Sequence, residues 1–294
     1  MKKCLLIINP CSGQLKIHSE LVDVIKILNE NDYEVQVQIT LNHNHAKEIG
    51  ANAPDVDLII CSGGDGTVNQ VVSGMIEGNK KIPLGYIPSG STNDFANTLG
   101  LSFNIKEATK NIVSGKEYLI DIGNFNNISN FVYVASFGAF TSVSYNTPQA
   151  AKNIFGNLAY IVNGIADLAN VRPYKVKGKT KNIEFEGEYL LGLVLNTTSV
   201  GGILKINTLD VDLSDGLFEV VLIKVPKDII DANKIGNGLM TCNFSDSSVF
   251  TFLKTDDITL YLDKETSWSL DGEEVKAGKE VHITNINQRI GIVK

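Results

Sequence analysis

Gly63, Gly64 and Gly66 surround a single carboxylate, Asp65, in the run Asp57-Leu58-Ile59-Ile60-Cys61-Ser62-Gly63-Gly64-Asp65-Gly66-Thr67. Glycines leave the backbone unshielded, so successive N–H groups can point at an anion. A helical pattern from Val68 to Ile76 follows at once, and its N-terminal end adds a positive dipole. A carboxylate inside an anion cradle is awkward unless it manages a magnesium ion or a magnesium-bound phosphate. The competing reading is a tight strand-to-helix turn of an ordinary α/β domain. A strand before and a helix after are the context that a phosphate-binding turn requires.

Four other segments carry candidate chemistry. Asn9-Pro10-Cys11-Ser12-Gly13 offers an amide, a hydroxyl and a glycine where a nucleotide would lie, although an Asn-Pro turn ends many strands. Ser89-Gly90-Ser91-Thr92-Asn93-Asp94-Phe95 brings hydroxyls and a second carboxylate, Asp94, and reads equally as a capped helix start. Trp268-Ser269-Leu270-Asp271-Gly272-Glu273-Glu274 contains an Asp-Gly pair suited to a hairpin turn. Asp212-Leu213-Ser214-Asp215-Gly216-Leu217 is an acidic turn whose oxygens suit magnesium or calcium, or simply solvent. The histidines His18, His43, His45 and His282 form no metal-ligand spacing with acids or cysteines.

The elements that must position these groups divide the chain in two. Strands are expected at Lys3 to Asn9, Tyr33 to Thr40, Asp57 to Ser62 and Pro83 to Pro88. Helices fall between them at Ser19 to Asn29, His45 to Ala53 and Val68 to Glu77. Such alternation predicts an α/β domain with a parallel sheet, ligands lying at the carboxyl ends of its strands. After Asp121, segments at Asn130 to Phe137, Lys181 to Phe185, Tyr189 to Asn196, Leu217 to Val225, Asp257 to Leu262 and Val281 to Thr284 read as strands joined by Gly, Asp and Asn turns. They predict a mostly antiparallel β second domain, interrupted by one helix over Ala151 to Asn170. The expected boundaries are 1–121 for the nucleotide-binding domain and 122–286 for the β-rich domain. The tail, 287–294, is a candidate to return to the first.

With 294 residues, 43% hydrophobic and 20% charged, the chain is expected to build ordinary cores in two domains. A formal charge of -7 argues against nucleic acid as a partner. No apolar run reaches the roughly 20 residues of a membrane helix. Asn9-Pro10 breaks the short apolar start before it can act as a signal peptide. Cys4, Cys11, Cys61 and Cys242 have neither CxxC spacing nor scaffold density, which fits the inside of a cell.

Taken in order, NPxSG, GGDGTxNxV and PSGSTNDFA resemble the diacylglycerol kinase catalytic family, which also includes sphingosine and ceramide kinases. The likeness spans nearly the whole chain and is greatest to the soluble bacterial members. GGDGT alone is shared with NAD kinases and phosphofructokinases; the NDFA segment discriminates. Ser91 stands where threonine is more usual, so the hydroxyl is kept. The resemblance implies an NAD-kinase-like first domain, a cleft between the domains, and ATP and Mg²⁺ as cofactors. It places Asn9, Pro10, Cys11, Ser12, Gly13, Thr40, Gly64, Asp65, Gly66, Thr67, Val68, Asn69, Gln70 and Ser91 at the ATP site. Asp65 and Asp94 would organise magnesium, Asp271 would be the base that activates the acceptor hydroxyl, and Glu273 would assist. A structural cation would sit on Asp215 with backbone oxygens near Asp212 and Leu217. The implied reaction is phosphorylation of a lipid hydroxyl, diacylglycerol first among acceptors, by a cytoplasmic protein that touches the membrane peripherally, with a homodimer as a family expectation. A kinase of a soluble acceptor such as NAD and a non-catalytic nucleotide-binding regulator are the alternatives.

One feature lies outside the resemblance. Lys175, Lys177, Lys179 and Lys181 alternate, with Arg172 just before them. On an extended segment the four would share a face. They would then either meet anionic headgroups or guard an edge strand against aggregation.

Overall fold

The computed structural model describes residues 1–12, 16–138, 172–200, 204–205 and 211–294. The helix expected over Ala151 to Asn170 lies outside the described residues. Two compact units are formed, one by residues 1–122 and 287–294, the other by residues 123–286.

The first unit alternates strands and helices: β1 (Lys2–Ile8), α1 (Lys16–Glu30), β2 (Tyr33–Ile39), α2 (His45–Ala51), β3 (Leu58–Gly63), α3 (Asp65–Glu77), β4 (Leu84–Pro88), α4 (Asp94–Leu99) and α5 (Ile105–Ser114). The inner strands read as unbroken apolar runs because both faces are covered; β3 and β4 are buried throughout. On one face Cys4, Leu6 and Ile8 pack with Val24 and Leu28 of α1 and with Ile105 and Ile112 of α5. Asn104 starts α5 by accepting the Glu107 N–H at 3.0 Å, a side-chain cap. All pairs are parallel, in the order β2-β1-β3-β4. The end of β17 (Glu280–Val293) completes the sheet beside β4, with Ile292 opposite Leu84. Helices α2 and α3 meet backbone to backbone: a Cβ on Gly74 would stand 2.0 Å from the Lys47 carbonyl oxygen. That approach fixes α3, whose first residue is Asp65.

The second unit is antiparallel, as expected. The chain enters it along β5 (Glu117–Phe125) and continues through β6 (Ser129–Phe131), β7 (Val134–Gly138), β8 (Tyr174–Lys179), β9 (Glu184–Leu195), a short ribbon of β10 (Ser199–Val200) and β11 (Leu204–Lys205), and β12 (Phe218–Lys224). Helix α6 (Ile229–Thr241), β13 (Phe250–Thr255), β14 (Asp257–Leu262), β15 (Thr266–Leu270) and β16 (Glu273–Ala277) follow, and β17 leads back. The long β9 pairs β8 along its first half and β7 along its second, with β12 on its other side. The core gathers around the fully buried Trp268, whose ring lies 4.8 Å from Phe137 and 5.2 Å from Phe125.

Three expectations are corrected here. Asn130 to Phe137 is two strands, β6 and β7, with Val132 and Tyr133 between them. Lys181 and Asn182 form the turn joining β8 to β9, where the Thr180 hydroxyl oxygen accepts the N–H groups of Asn182 and Ile183. The alternating lysines do not guard an edge, because β8 lies between β9 and β14. Each lysine instead meets an acid. Lys175 and Lys179 pair with Glu188 and Glu184, Lys177 stands opposite Glu186, and Lys181 pairs with Asp256. The stripe is charge-balanced, and exposed pairs of this kind contribute about 0–1 kcal/mol each.

The contact between α2 and α3 leaves no room for a side chain at Gly74. Gly74→Ala should destabilise the protein by about 1–3 kcal/mol, measured by urea unfolding. A loss well below that range would show that the two helices separate at no cost.

Candidate active site

In the parallel sheet the register sets the strand ends in one row. Ile8 lies opposite Ile39 and Ser62, Ser62 opposite Ile87, and Gly63 opposite Pro88. The loops leaving these ends therefore meet. The Asn9 N–H donates to the Ser62 carbonyl, Thr40 to Ile8 and Ser89 to Gly63. Asn9 also donates from Nδ2 to the Thr67 hydroxyl at 2.8 Å and accepts the Cys11 N–H at 3.0 Å. The hydroxyls of Ser12 and Ser89 pair at 2.9 Å, with Ser62 3.5 Å from Ser89.

Asp65 joins two of the loops. It is buried, and its carboxylate accepts the backbone N–H groups of Asp94 and Phe95 at 3.1 Å and the Thr92 hydroxyl at 3.3 Å. These are the first amides of α4. Their own N-cap residue, Asn93, is left-handed (φ 50°) and makes no side-chain cap bond. Its amide group is turned to Gly90 instead, accepting that residue's N–H at 2.9 Å and donating to its carbonyl at 3.0 Å. Gly64 and Gly90 pass so closely that a Cβ on Gly90 would lie 2.5 Å from the Gly64 Cα. Burial pushes the Asp65 carboxyl up to about 6, and the adjacent Asp94 charge adds to the rise against the hydrogen bonds that lower it. Two neighbouring buried acids fit a divalent cation, which would favour the ionised form of both.

Of the other ATP-site candidates, Cys11 and Ser91 are exposed, and Thr40 and Thr67 are buried. Val68 is fully buried in α3, so only its backbone is open to a role. Gln70 lies 3.4 Å from the His43 ring, and Asn69 accepts from the Ser73 hydroxyl. Pro10 and Gly66 are partly exposed, and Gly13 lies outside the described residues. Sequence reasoning passed over Tyr86, whose hydroxyl donates at 3.3 Å to Asn93 Oδ1 or to the Gly63 carbonyl. Burial, then the Asp65 charge, pushes its phenol well up. A lone tyrosine in an apolar strand reads as core. Asp121, wholly buried, also went unread; it accepts the Gln288 N–H at 2.7 Å.

In the second unit Asp271 and Gly272 join β15 to β16, with Leu270 opposite Glu273. Their φ angles, 50° and 92°, are the paired positive values of a two-residue hairpin turn. The Asp271 carboxylate is buried and accepts three consecutive backbone N–H groups, from Val132 at 2.6 Å, Tyr133 at 3.1 Å and Val134 at 2.9 Å. The hairpin reading of this segment is present, and the same turn carries a carboxylate held by backbone amides. Glu273 opens β16, half-buried. In the acidic turn Asp212 accepts from the Ser214 N–H and hydroxyl, and Asp215 accepts the Leu217 N–H at 2.9 Å. Among the described residues no group of three or more His, Cys, Asp or Glu side chains gathers there or elsewhere.

A parallel sheet with glycine-rich strand ends and a buried acid pair defines a nucleotide-dependent phosphotransferase. Residues 3–125 match the diacylglycerol kinase catalytic domain. A Bacillus subtilis (strain 168) diacylglycerol kinase is 31% identical over 276 residues, covering 93% of this chain and 90% of that protein. A Staphylococcus haemolyticus diacylglycerol kinase is 36% identical over 227 residues, covering 76% and 68%. The crystal structure of a putative diacylglycerol kinase from Bacillus anthracis str. Sterne superposes with a TM-score of 0.83 at 26% identity, covering 99% of this chain and 96% of that one. This chain belongs to the diacylglycerol kinase catalytic family. It is a lipid kinase that uses ATP, and the NAD-kinase and regulator alternatives are not favoured. No described helix is long and apolar enough to cross a membrane.

An acid raised on folding, from 3.8 to about 6, binds more protons folded than unfolded between those values. Its contribution to stability falls as pH rises through that window and stays low above it. A cation on Asp65 and Asp94 should reverse this loss. Millimolar Mg²⁺ is expected to raise the melting temperature at pH 7.5 and to raise it less at pH 5, followed by calorimetry. Equal shifts at both pH values would place the ion elsewhere.

Proposed function

We propose that this kinase transfers the γ-phosphate of ATP to the free hydroxyl of diacylglycerol, giving phosphatidic acid, and that Asp271 receives the acceptor's proton. The observation that carries the second part is the three-amide grip on a buried carboxylate. Such donors favour the ionised form and hold it in one orientation. In the transfer the acceptor oxygen bonds to the γ-phosphorus while the bond to the β–γ bridging oxygen breaks. The proton passes to Asp271, and ADP leaves with the bridging oxygen. The transition state of this reaction is loose, so catalysis rests mainly on positioning and charge.

The nucleotide reading assigns ATP to the loops at Asn9 to Gly13, Thr40, Gly64 to Gln70 and Ser91. Asp65 and Asp94 would hold Mg²⁺, in part through water, and Glu273 would assist the base. When bound, Mg²⁺ neutralises charge on the phosphates. Asp215, with backbone oxygens near Asp212 and Leu217, would hold a structural cation. Because its acceptor is a membrane lipid and its donor is ATP, the enzyme works at the cytoplasmic surface of a bilayer without spanning it.

A second reading is favoured by the same grip: Asp271 pins the hairpin to residues 132–134 and does no chemistry. Asp271→Asn separates the two. Its Nδ2 would point one donor at another, so stability should fall by about 1–3 kcal/mol. In the folded variant, checked by circular dichroism below its melting temperature, kcat should fall by about 100-fold or more with ATP affinity nearly unchanged. Wild-type turnover in that folded variant would leave only the pin.

A further inference from the structure

Ser136 and Ser269 stand directly opposite each other on β7 and β15. Their hydroxyls are buried, at 1% and 0% exposure, and neither has a hydrogen-bond partner. Their chain neighbours Ala135, Phe137, Trp268 and Leu270 all belong to the apolar core of the unit. By strand alternation the two serines share the opposite face. Two residues on along these strands, past Ala135 and Leu270, come Val134 and Asp271, joined by the bond from the Asp271 N–H to the Val134 carbonyl at 2.9 Å. Across the sheet the same face turns aliphatic. Leu193 lies opposite Ser136, Val221 opposite Leu193, and Leu195 opposite Val134.

Natural proteins leave few buried hydroxyls unmet, and two side by side, two residues from a buried carboxylate, mark a place prepared for a polar group. Two hydroxyl donors therefore lie two residues along the strands from the carboxylate, with hydrocarbon beside both across the sheet. A diacylglycerol presents complementary groups: a free hydroxyl and, a few bonds away, two ester carbonyls that only accept. We propose that Ser136 and Ser269 donate to the ester carbonyl oxygens of the acceptor lipid and so hold its glycerol hydroxyl beside Asp271. This rests on diacylglycerol as the acceptor and Asp271 as its proton acceptor. The serines act as positioning residues that set preference for ester-linked lipid. Shielded from water, a carbonyl bound there meets no competing solvent.

The test is steady-state kinetics of the wild type, Ser136→Ala, Ser269→Ala and the double variant in mixed micelles. A short-chain diacylglycerol is compared with its dialkyl-ether analogue, which lacks the carbonyls. The wild type should prefer the ester. The double variant should raise KM for the ester roughly tenfold, a factor in keeping with the loss of a hydrogen bond from bound substrate, and leave KM for the ether unchanged. Melting temperatures should hold steady or rise, since alanine removes an unmet hydroxyl. An ester preference that survives in the double variant would overturn the proposal and leave the serines a water site or a packing feature. A wild type that phosphorylates neither glycerolipid would overturn the acceptor reading, and this proposal with it.

Discussion

The amides that open α4 have no cap of their own, because Asn93 adopts a left-handed conformation and its side chain is committed to Gly90. Asp65 meets those amides from the start of α3, so one buried carboxylate sets the distance between two strand-end loops. Much else follows from that placement. Gly64 and Gly90 must pass without side chains, and α3 must be anchored firmly, which the close approach to α2 at Gly74 provides. Burial beside Asp94 then raises the cost of keeping Asp65 ionised. Capping a short helix and crowding two buried acids together are consequences of the same atom positions.

The second unit uses a similar device in a different setting. Asp271 sits in a turn whose two positive φ values suit Asp-Gly, and its carboxylate ties that turn to three successive amides. The hairpin brings the acid to its place, and the amides keep it there. The lysine-rich strand β8 shows the contrary case of charge that is used up locally. Its ammonium groups face Glu184, Glu186 and Glu188 on β9, so attraction to an anionic surface does not follow from their number.

Much of the first unit was legible because buried parallel strands appear as apolar runs closed by turn residues, and each of those ends carried a motif. Strand neighbours were less legible. Alternation reveals that Lys175, Lys177 and Lys179 share a face but not that β14, some 80 residues away, lies beside them. Helix α6 was missed because Ile229, Ile230 and Met240 are exposed on it while Gly236 and Gly238 interrupt it. Its signal was the cap Asp228, which accepts two amides at 2.9 Å. At the site, residue types were readable and their engagements were not. Ser12 and Thr67 hydrogen-bond to neighbouring loops and the Val68 side chain is core, engagements that residue type and spacing do not reveal. Ser136 and Ser269 carried no signal, since single serines in strands are common and only their pairing and burial give them meaning.

The two buried carboxylates differ in what surrounds them, and the difference suits opposite tasks. Asp65 lies next to a second acid, and desolvation outweighs its hydrogen bonds; its charge gains most from a cation. Asp271 accepts three N–H groups, which hold its carboxylate in one orientation. A strongly basic carboxylate would take up a proton from water before any acceptor arrived. One fixed by the backbone would, on the proposed reading, accept a hydrogen bond from the incoming alcohol and so aim the alcohol's lone pair at phosphorus. In a loose transition state, where the new O–P bond is little formed when the old one is largely broken, the alcohol stays a weak acid until late. Orientation then matters more than proton affinity, and a carboxylate held rigidly by the backbone is what the proposed role of Asp271 requires.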